Sequence, residues 1–215
     1  MRIKIDAIIF DLDGVLIDSG DDIANAVIYT IKELNTKMLT KQEIISYVGN
    51  GLDYLIRKAF EGCDEGAIEK AKTLYRKNYF ENSTVYTHLN KNVLELLEHF
   101  KEKKLAVLTN KPEEQAKIVL EKLNALKHFE IVYGPESVTQ MKPAADGIIK
   151  ILDEFGVLPG KALIVGDSYS DVLAGKNAGI HTCGVTFGLG SVDDLKESDP
   201  EILIDDMLEL IEIIE

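Results

Sequence analysis

The stretch Ile8-Ile9-Phe10-Asp11-Leu12-Asp13-Gly14-Val15-Leu16 decides how the rest of the chain is read. It closes a short apolar run, residues 5–10, with two carboxylates two positions apart and a glycine. A continuous apolar run of this length reads as a strand buried on both faces, as in a parallel sheet. Just past its end, Asp11 and Asp13 can both face one small volume. Gly14 lets the backbone turn away or approach a ligand closely. Neighbouring carboxylates repel and separate in pKa, so one can stay ionised as a nucleophile while the other carries a proton. Asp and Gly are also ordinary turn formers, and the motif alone carries little.

Working outward, the same grammar recurs. Apolar runs at 105–108, 131–133 and 162–165 stop at Thr109-Asn110, Gly134-Pro135 and Gly166-Asp167, and two more follow at 183–187 and 202–204. Helical stripes lie between them: Val93, Leu96, Leu97 and Phe100; Ile118, Leu123 and Leu126, after Pro112; Ile148, Ile149, Leu152 and Phe155. Ser170 reads as a helix N-cap and Gly179 as the residue past a helix end. Alternating strands and helices predict a doubly wound α/β core with a parallel sheet.

Residues 15–83 break this rhythm. They show no strand, and Ile23, Ala26, Val27, Thr30, Ile31 and Leu34 keep helical spacing, as do Leu52, Leu55, Ile56 and Ala59. Further helical groups are Ile44, Ile45 and Val48, and Ile68, Ala71, Leu74 and Tyr75. The expectation is an all-α domain at 15–83 inserted into a core made of 1–14 and 84–215. Ligands of open α/β sheets bind beyond the carboxyl ends of the strands, so an insert rooted after Gly14 lies over that edge like a lid.

Composition narrows the partners. Of 215 residues, 46% are hydrophobic, enough for a core, and the formal charge is -13, which repels nucleic acid and anionic membrane surfaces. It also repels a small phosphate ester, so an anionic substrate requires a cation or a cluster of donors inside the site. Cys63 and Cys183 have no metal-binding spacing and suit a reducing cytoplasm. The N-terminal apolar run is too short for a signal peptide or a membrane span. His88, His99, His128 and His181 show no ligand spacing. Leu208, Ile211 and Ile214 suggest a C-terminal helix packing on the sheet. Whether the protein is a monomer or a homodimer stays open.

Three more stretches carry candidate chemistry. Gly166-Asp167-Ser168-Tyr169-Ser170-Asp171 follows a buried strand and opens a helix; its two acids can bind a hard cation such as Mg²⁺ or orient a ligand of it. The competing reading, an acidic helix start matched to the helix dipole, explains Asp171 more easily than Asp167. Thr109-Asn110 offers a hydroxyl and backbone N–H groups to phosphate oxygens, or merely caps a turn. Lys142, before Pro143, offers a cation, or is simply solvated.

In combination, DLDGVL, LTN, KP and GDSYSD, in order along the whole chain, resemble the haloacid dehalogenase superfamily of phosphohydrolases. The resemblance implies a Rossmann-like core with a small helical cap, and roles for individual residues. Asp11 would attack phosphorus, and Asp13 would protonate the leaving alcohol and then activate water. Thr109 and Lys142 would hold the phosphoryl group. Asp11, the backbone carbonyl of Asp13 and Asp167 would ligate Mg²⁺, with Ser168 and Asp171 supporting them from behind. Asp13 favours phosphate over dehalogenation chemistry, because dehalogenases of the superfamily lack that second acid.

Gly14 and Asn110 would contact the substrate. In the insert, Gly49-Asn50-Gly51 and Arg57 look like the loop of phosphoglycolate phosphatases, placed to meet a substrate carboxylate; an ordinary turn is the alternative for the glycines. Two departures weaken that substrate assignment: Tyr86-Thr87-His88-Leu89 stands where a Tyr-Pro-Gly turn is common, and Pro143-Ala144-Ala145-Asp146 lacks a common second proline. A pyrophosphatase, a sugar-phosphate phosphatase, a phosphomutase or a non-catalytic binding module on the same scaffold are the other readings.

Overall fold

The computed structural model describes residues 2–215. Along the chain come β1 (Ala7–Phe10), β2 (Ile17–Asp18), α1 (Gly20–Leu34), α2 (Lys41–Ile45), α3 (Leu52–Ala59), α4 (Glu65–Asn82) and β3 (His88–Leu89). Then follow α5 (Val93–His99), β4 (Lys104–Leu108), α6 (Glu113–Lys122), β5 (Ile131–Tyr133), α7 (Asp146–Phe155) and β6 (Ala162–Gly166). The chain closes with α8 (Tyr169–Ala178), β7 (His181–Val185), α9 (Val192–Glu197), β8 (Ile202–Ile204) and α10 (Glu209–Ile213).

Six strands form one sheet in the order β5-β4-β1-β6-β7-β8, and every pairing within it is parallel. The apolar runs of the sequence are these strands. They are continuous because both faces are covered: Ile8 and Phe10 of β1 enter one apolar cluster with α5 and α6, and Ala7 and Ile9 enter another with α7. The chain winds from β1 outward through β4 and β5, then returns to β6 on the other side. The strand order therefore reverses between β1 and β6, where a crevice opens beyond the strand ends.

Helices α1 to α4 have an apolar cluster of their own, built on Ile23, Val27, Ile31, Ile56, Tyr75 and Tyr79 among others. Asp21 and Asp22 in the first turn of α1 and Lys32 in its last suit the helix dipole, and Asn35 ends the helix in the left-handed region at φ 51°. Thr40 and Glu43 make a reciprocal capping box at α2.

Several sequence-based expectations need correction. Residues 15–83 do contain a strand: β2 pairs antiparallel with β3, Ile17 opposite Leu89 and Asp18 opposite His88. The buried side of α6 is Ala116, Val119 and Leu120, and Leu126 lies beyond it in a separate short 3-10 turn, because α6 ends at Lys122. On α7 the buried side is Ile148, Ile151 and Leu152, and Ile149 is exposed. Ser168, not Ser170, caps α8, with Asp171 completing the box. At the C-terminus the buried residues are Met207, Leu210 and Ile214, and Ile214 bridges to Ile3. No helix among the described residues is long and apolar enough to cross a membrane.

Candidate active site

Asp11 and Asp167 occupy the first positions beyond β1 and β6, the two strands that flank the reversal, and Thr109 occupies the same position beyond β4. All three are buried. The oxygens of Asp11, Asp167 and Asp171 lie within 4.8 Å of one another. One ammonium serves this cluster: Lys142 Nζ lies 2.6 Å from Asp171 Oδ1 and 2.8 Å from Asp11 Oδ1, and it donates to the Leu108 carbonyl at 2.7 Å. The Lys142 ammonium is the one close partner of the buried Asp11 Oδ1 among the described residues.

Charge shapes the acidities here. Burial raises the Asp11 carboxyl to about 6; Lys142 opposes the shift, and the neighbouring Asp171 and Asp13 add to it. Burial raises Asp167 further, to about 8, helped by Asp11 and Asp171 and opposed by the N–H groups of Gly190 and Leu189. Burial alone would lower Lys142, but the carboxylates of Asp11 and Asp171 outweigh it and hold the ammonium above its ordinary value.

Neighbouring segments orient these groups. Asp167 Oδ2 accepts from Leu189 N at 2.7 Å and Gly190 N at 3.0 Å. A side chain at Gly188 would collide with that carboxylate, and one at Gly14, where φ is +90°, would strike both it and the Leu189 backbone. Gly14 thus permits close approach and a left-handed turn rather than supplying a contact of its own. Asp171 Oδ2 accepts from Ser168 N and Ser168 Oγ, so both its oxygens are occupied from within the protein.

Asp13 stands apart from the acidic cluster. Its Oδ1 accepts from Ser19 Oγ at 2.6 Å and from Lys111 Nζ at 2.9 Å, and its Oδ2 lies 3.1 Å from the same ammonium. The Lys111 ammonium also sits 4.6 Å from the centre of the Tyr79 ring on α4, so it touches core and helical insert together.

A small cavity of about 40 Å³ lies between the two parts. Asp11, Asp13, Thr109, Asn110, Lys111 and Gln115 line it from the core, and Ile23, Val48, Gly49, Gly51, Leu52, Leu55 and Tyr75 from the insert. Gly49 and Gly51 are therefore at the cavity. Asn50 is not; it lies in a neighbouring cleft with Ser168 and Tyr169. The Asn110 side chain donates to the carbonyls of Gly49 and Lys142 and accepts from Lys142 N. Its amide ties three segments together instead of offering itself to a ligand.

Arg57 is the clearest correction. Its guanidinium is held by Glu65 at 2.7 Å and Asp53 at 2.8 Å, half-exposed, in a surface cleft with Asn50, Tyr54 and Met141. It does not reach the cavity. Arg57→Ala should change KM for any phosphate ester by less than about twofold, because exposed ion pairs contribute little; steady-state kinetics check this.

Residues that the sequence reading passed over complete the site. Lys111 and Gln115 are buried at the cavity. Asn90 donates to the carbonyls of Gly14 and Val15. Asp22 Oδ2 accepts from Tyr86 N, Thr87 N and Thr87 Oγ1, which explains why Tyr86-Thr87 needs no Tyr-Pro-Gly turn: a side chain of α1 fixes the returning backbone instead.

Residues 8–185 match the family described as "Haloacid dehalogenase-like hydrolase". A "Phosphoglycolate phosphatase" of Aquifex aeolicus (strain VF5) is 39% identical over 183 residues, covering 84% of both chains. A "Putative pyrophosphatase PpaX" of Clostridium perfringens is 34% identical over 98% of both. The crystal structure of a "predicted phosphoglycolate phosphatase" from Haemophilus somnus 129pt superposes with TM-score 0.94 at 29% identity, covering 97% of each chain. The chain belongs to the haloacid dehalogenase-like hydrolase family. It is an enzyme, one of the phosphatases of that family.

Proposed function

We propose that this protein hydrolyses a small phosphate monoester through an aspartyl-phosphate on Asp11, with Mg²⁺ as cofactor and residues 15–83 acting as a cap. The observation that carries the reading is the cluster of Asp11, Asp167 and Asp171 at the sheet reversal, three buried carboxylates of which two share the Lys142 ammonium. A group of buried carboxylate oxygens with excess negative charge fits a hard divalent cation. Asp11, Asp167 and the backbone carbonyl of Asp13 would hold it. Mg²⁺, when bound, supplies charge neutralisation and polarisation of a phosphoryl oxygen.

The chain's own residues do the rest. The Asp11 carboxylate forms a bond to phosphorus as the ester P–O bond breaks, and Asp13 gives its proton to the departing oxygen. Asp13 then takes a proton from the water that cleaves the acyl phosphate and regenerates Asp11. Ser19 and Lys111 fix the Asp13 carboxylate for both steps. The Thr109 hydroxyl and the Lys142 ammonium hold oxygens of the transferring group. Phosphoglycolate is the preferred substrate, on the names of several relatives. A pyrophosphatase reading rests on the clostridial relative.

The test is phosphate release from short phosphomonoesters with Mg²⁺, stopped by a chelator and restored by the ion, with Asp11→Asn as the blank. Hydrolysis that ignores the chelator would contradict the metal assignment.

The raised carboxyls give a second, physical readout. Asp167 and Asp11 have folded-state pKa values above the ordinary 3.8, at about 8 and about 6. As pH rises, the unfolded carboxyls lose their protons first while the native ones keep them. The ion-free protein therefore loses stability as pH rises across the window from about 4 to 8. An ion held by Asp11 and Asp167 would compete with those protons, so the Tm gain from Mg²⁺ should be larger near pH 8 than near pH 5. Scanning calorimetry with and without chelator measures this; an equal gain at both pH values would contradict the account.

A further inference from the structure

The apolar side of the cavity belongs to the cap, and the cap places no cation there: Ile23, Val48, Leu52, Leu55 and Tyr75 face it, while Arg57 is bound elsewhere by Glu65 and Asp53. The positive charge that lines the cavity is Lys111, from the core. It touches both oxygens of Asp13, the residue assigned to protonate the leaving oxygen, so it sits on the leaving-group side of the phosphorus. These two contacts leave the ammonium with one further proton to donate.

Beside it, Gln115 is 9% exposed, lines the same cavity, and its amide makes no hydrogen bond among the described residues. A carboxamide that lines the cavity without a protein partner is free to donate to a ligand there. An ammonium and a free carboxamide NH₂ together make a donor pair suited to a carboxylate. The adjacent carboxylates of Asp11 and Asp13 would repel such a group if that ammonium were missing.

We propose that Lys111 and Gln115 read a carboxylate on the leaving group. The substrate class is then a phosphorylated hydroxy acid short enough that the carboxylate lies one or two carbons from the ester oxygen. The small cavity supports that length limit. The proposal rests on the phosphatase reading above and assigns its specificity to the core, where the sequence motifs had pointed to the cap.

The experiment compares kcat/KM for phosphoglycolate with that for ethyl phosphate, in the wild type and in Lys111→Met, Lys111→Arg and Gln115→Leu. The quantity read is the ratio of the two, which cancels a general loss of activity from a misplaced Asp13. The wild type should prefer phosphoglycolate. Lys111→Met should cut that preference roughly tenfold to a hundredfold, and Lys111→Arg should retain much of it. Gln115→Leu, which leaves the Asp13 contacts intact, should cut it roughly three- to tenfold. A wild type without the preference overturns the proposal, as do variants that keep it. In either case, ethyl phosphate hydrolysis that disappears in Asp11→Asn leaves the phosphatase reading standing. A wild type that hydrolyses neither ester overturns both.

Discussion

Asp11→Asn should lower kcat by at least about 10⁴-fold while the protein stays folded. The amide keeps the shape of the carboxylate but cannot attack phosphorus. Stability should not suffer. Asp11 is one of three clustered buried carboxylates, and burial already opposes its charge. Removing that charge relieves repulsion with Asp167 and Asp171, so Tm in the absence of metal should be equal to or above the wild-type value. The two measurements belong together. Lost turnover with an intact melting transition identifies the nucleophile, and full turnover in the variant would falsify it.

The opposite pattern is expected of Lys142→Met. The Lys142 side chain is 2% exposed and its ammonium meets Asp11, Asp171 and the Leu108 carbonyl. Methionine fills the space of the stem but takes away the ammonium that Asp11 and Asp171 share. Breaking a buried ion pair from one side costs about 3–5 kcal/mol, which in a chain of this size lowers Tm on the order of 10 °C. Turnover should fall as well, since the phosphoryl group loses the same ammonium. The deficit in Tm should shrink as pH falls toward about 5, because protonated carboxyls no longer need the partner. Calorimetry across pH decides it; a deficit that is constant from pH 5 to 8 would show that packing, not charge, was lost.

The sheet and its active edge were legible because burial on both faces forces continuous apolar runs, and the polar residue that stops each run marks the strand's carboxyl end. Asp11, Thr109 and Asp167 were placed just past strand ends that way, which is where they lie. What escaped has physical reasons. β2 and β3 are two residues long and half polar, too short for any periodicity to register. Ile149 fits a helical stripe by spacing, but the contact face of α7 is set by how the helix lies on the sheet. Lys111 looks like any solvated lysine after a strand end, and only the fold brings Tyr79 and Asp13 against it. Arg57 was legible in the other direction: Asp53, four residues earlier on the same helix, already offered it a partner. The loop 187–191 was passed over, because its role, two amides directed at one oxygen of Asp167, is a matter of tertiary approach.

The short ribbon of β2 and β3 has a consequence for how this molecule can be altered. Because Asp18 and His88 are ladder partners, the helical block hangs from the core like a plug in a two-pin socket. A block of another size or shape could be fitted to the same pins without disturbing the six-stranded sheet, and would bring a different apolar wall to the same pair of aspartates. The exchange would have to keep Ser19 and a partner for Lys111 such as Tyr79, because these residues of the block hold Asp13 and the lysine beside it.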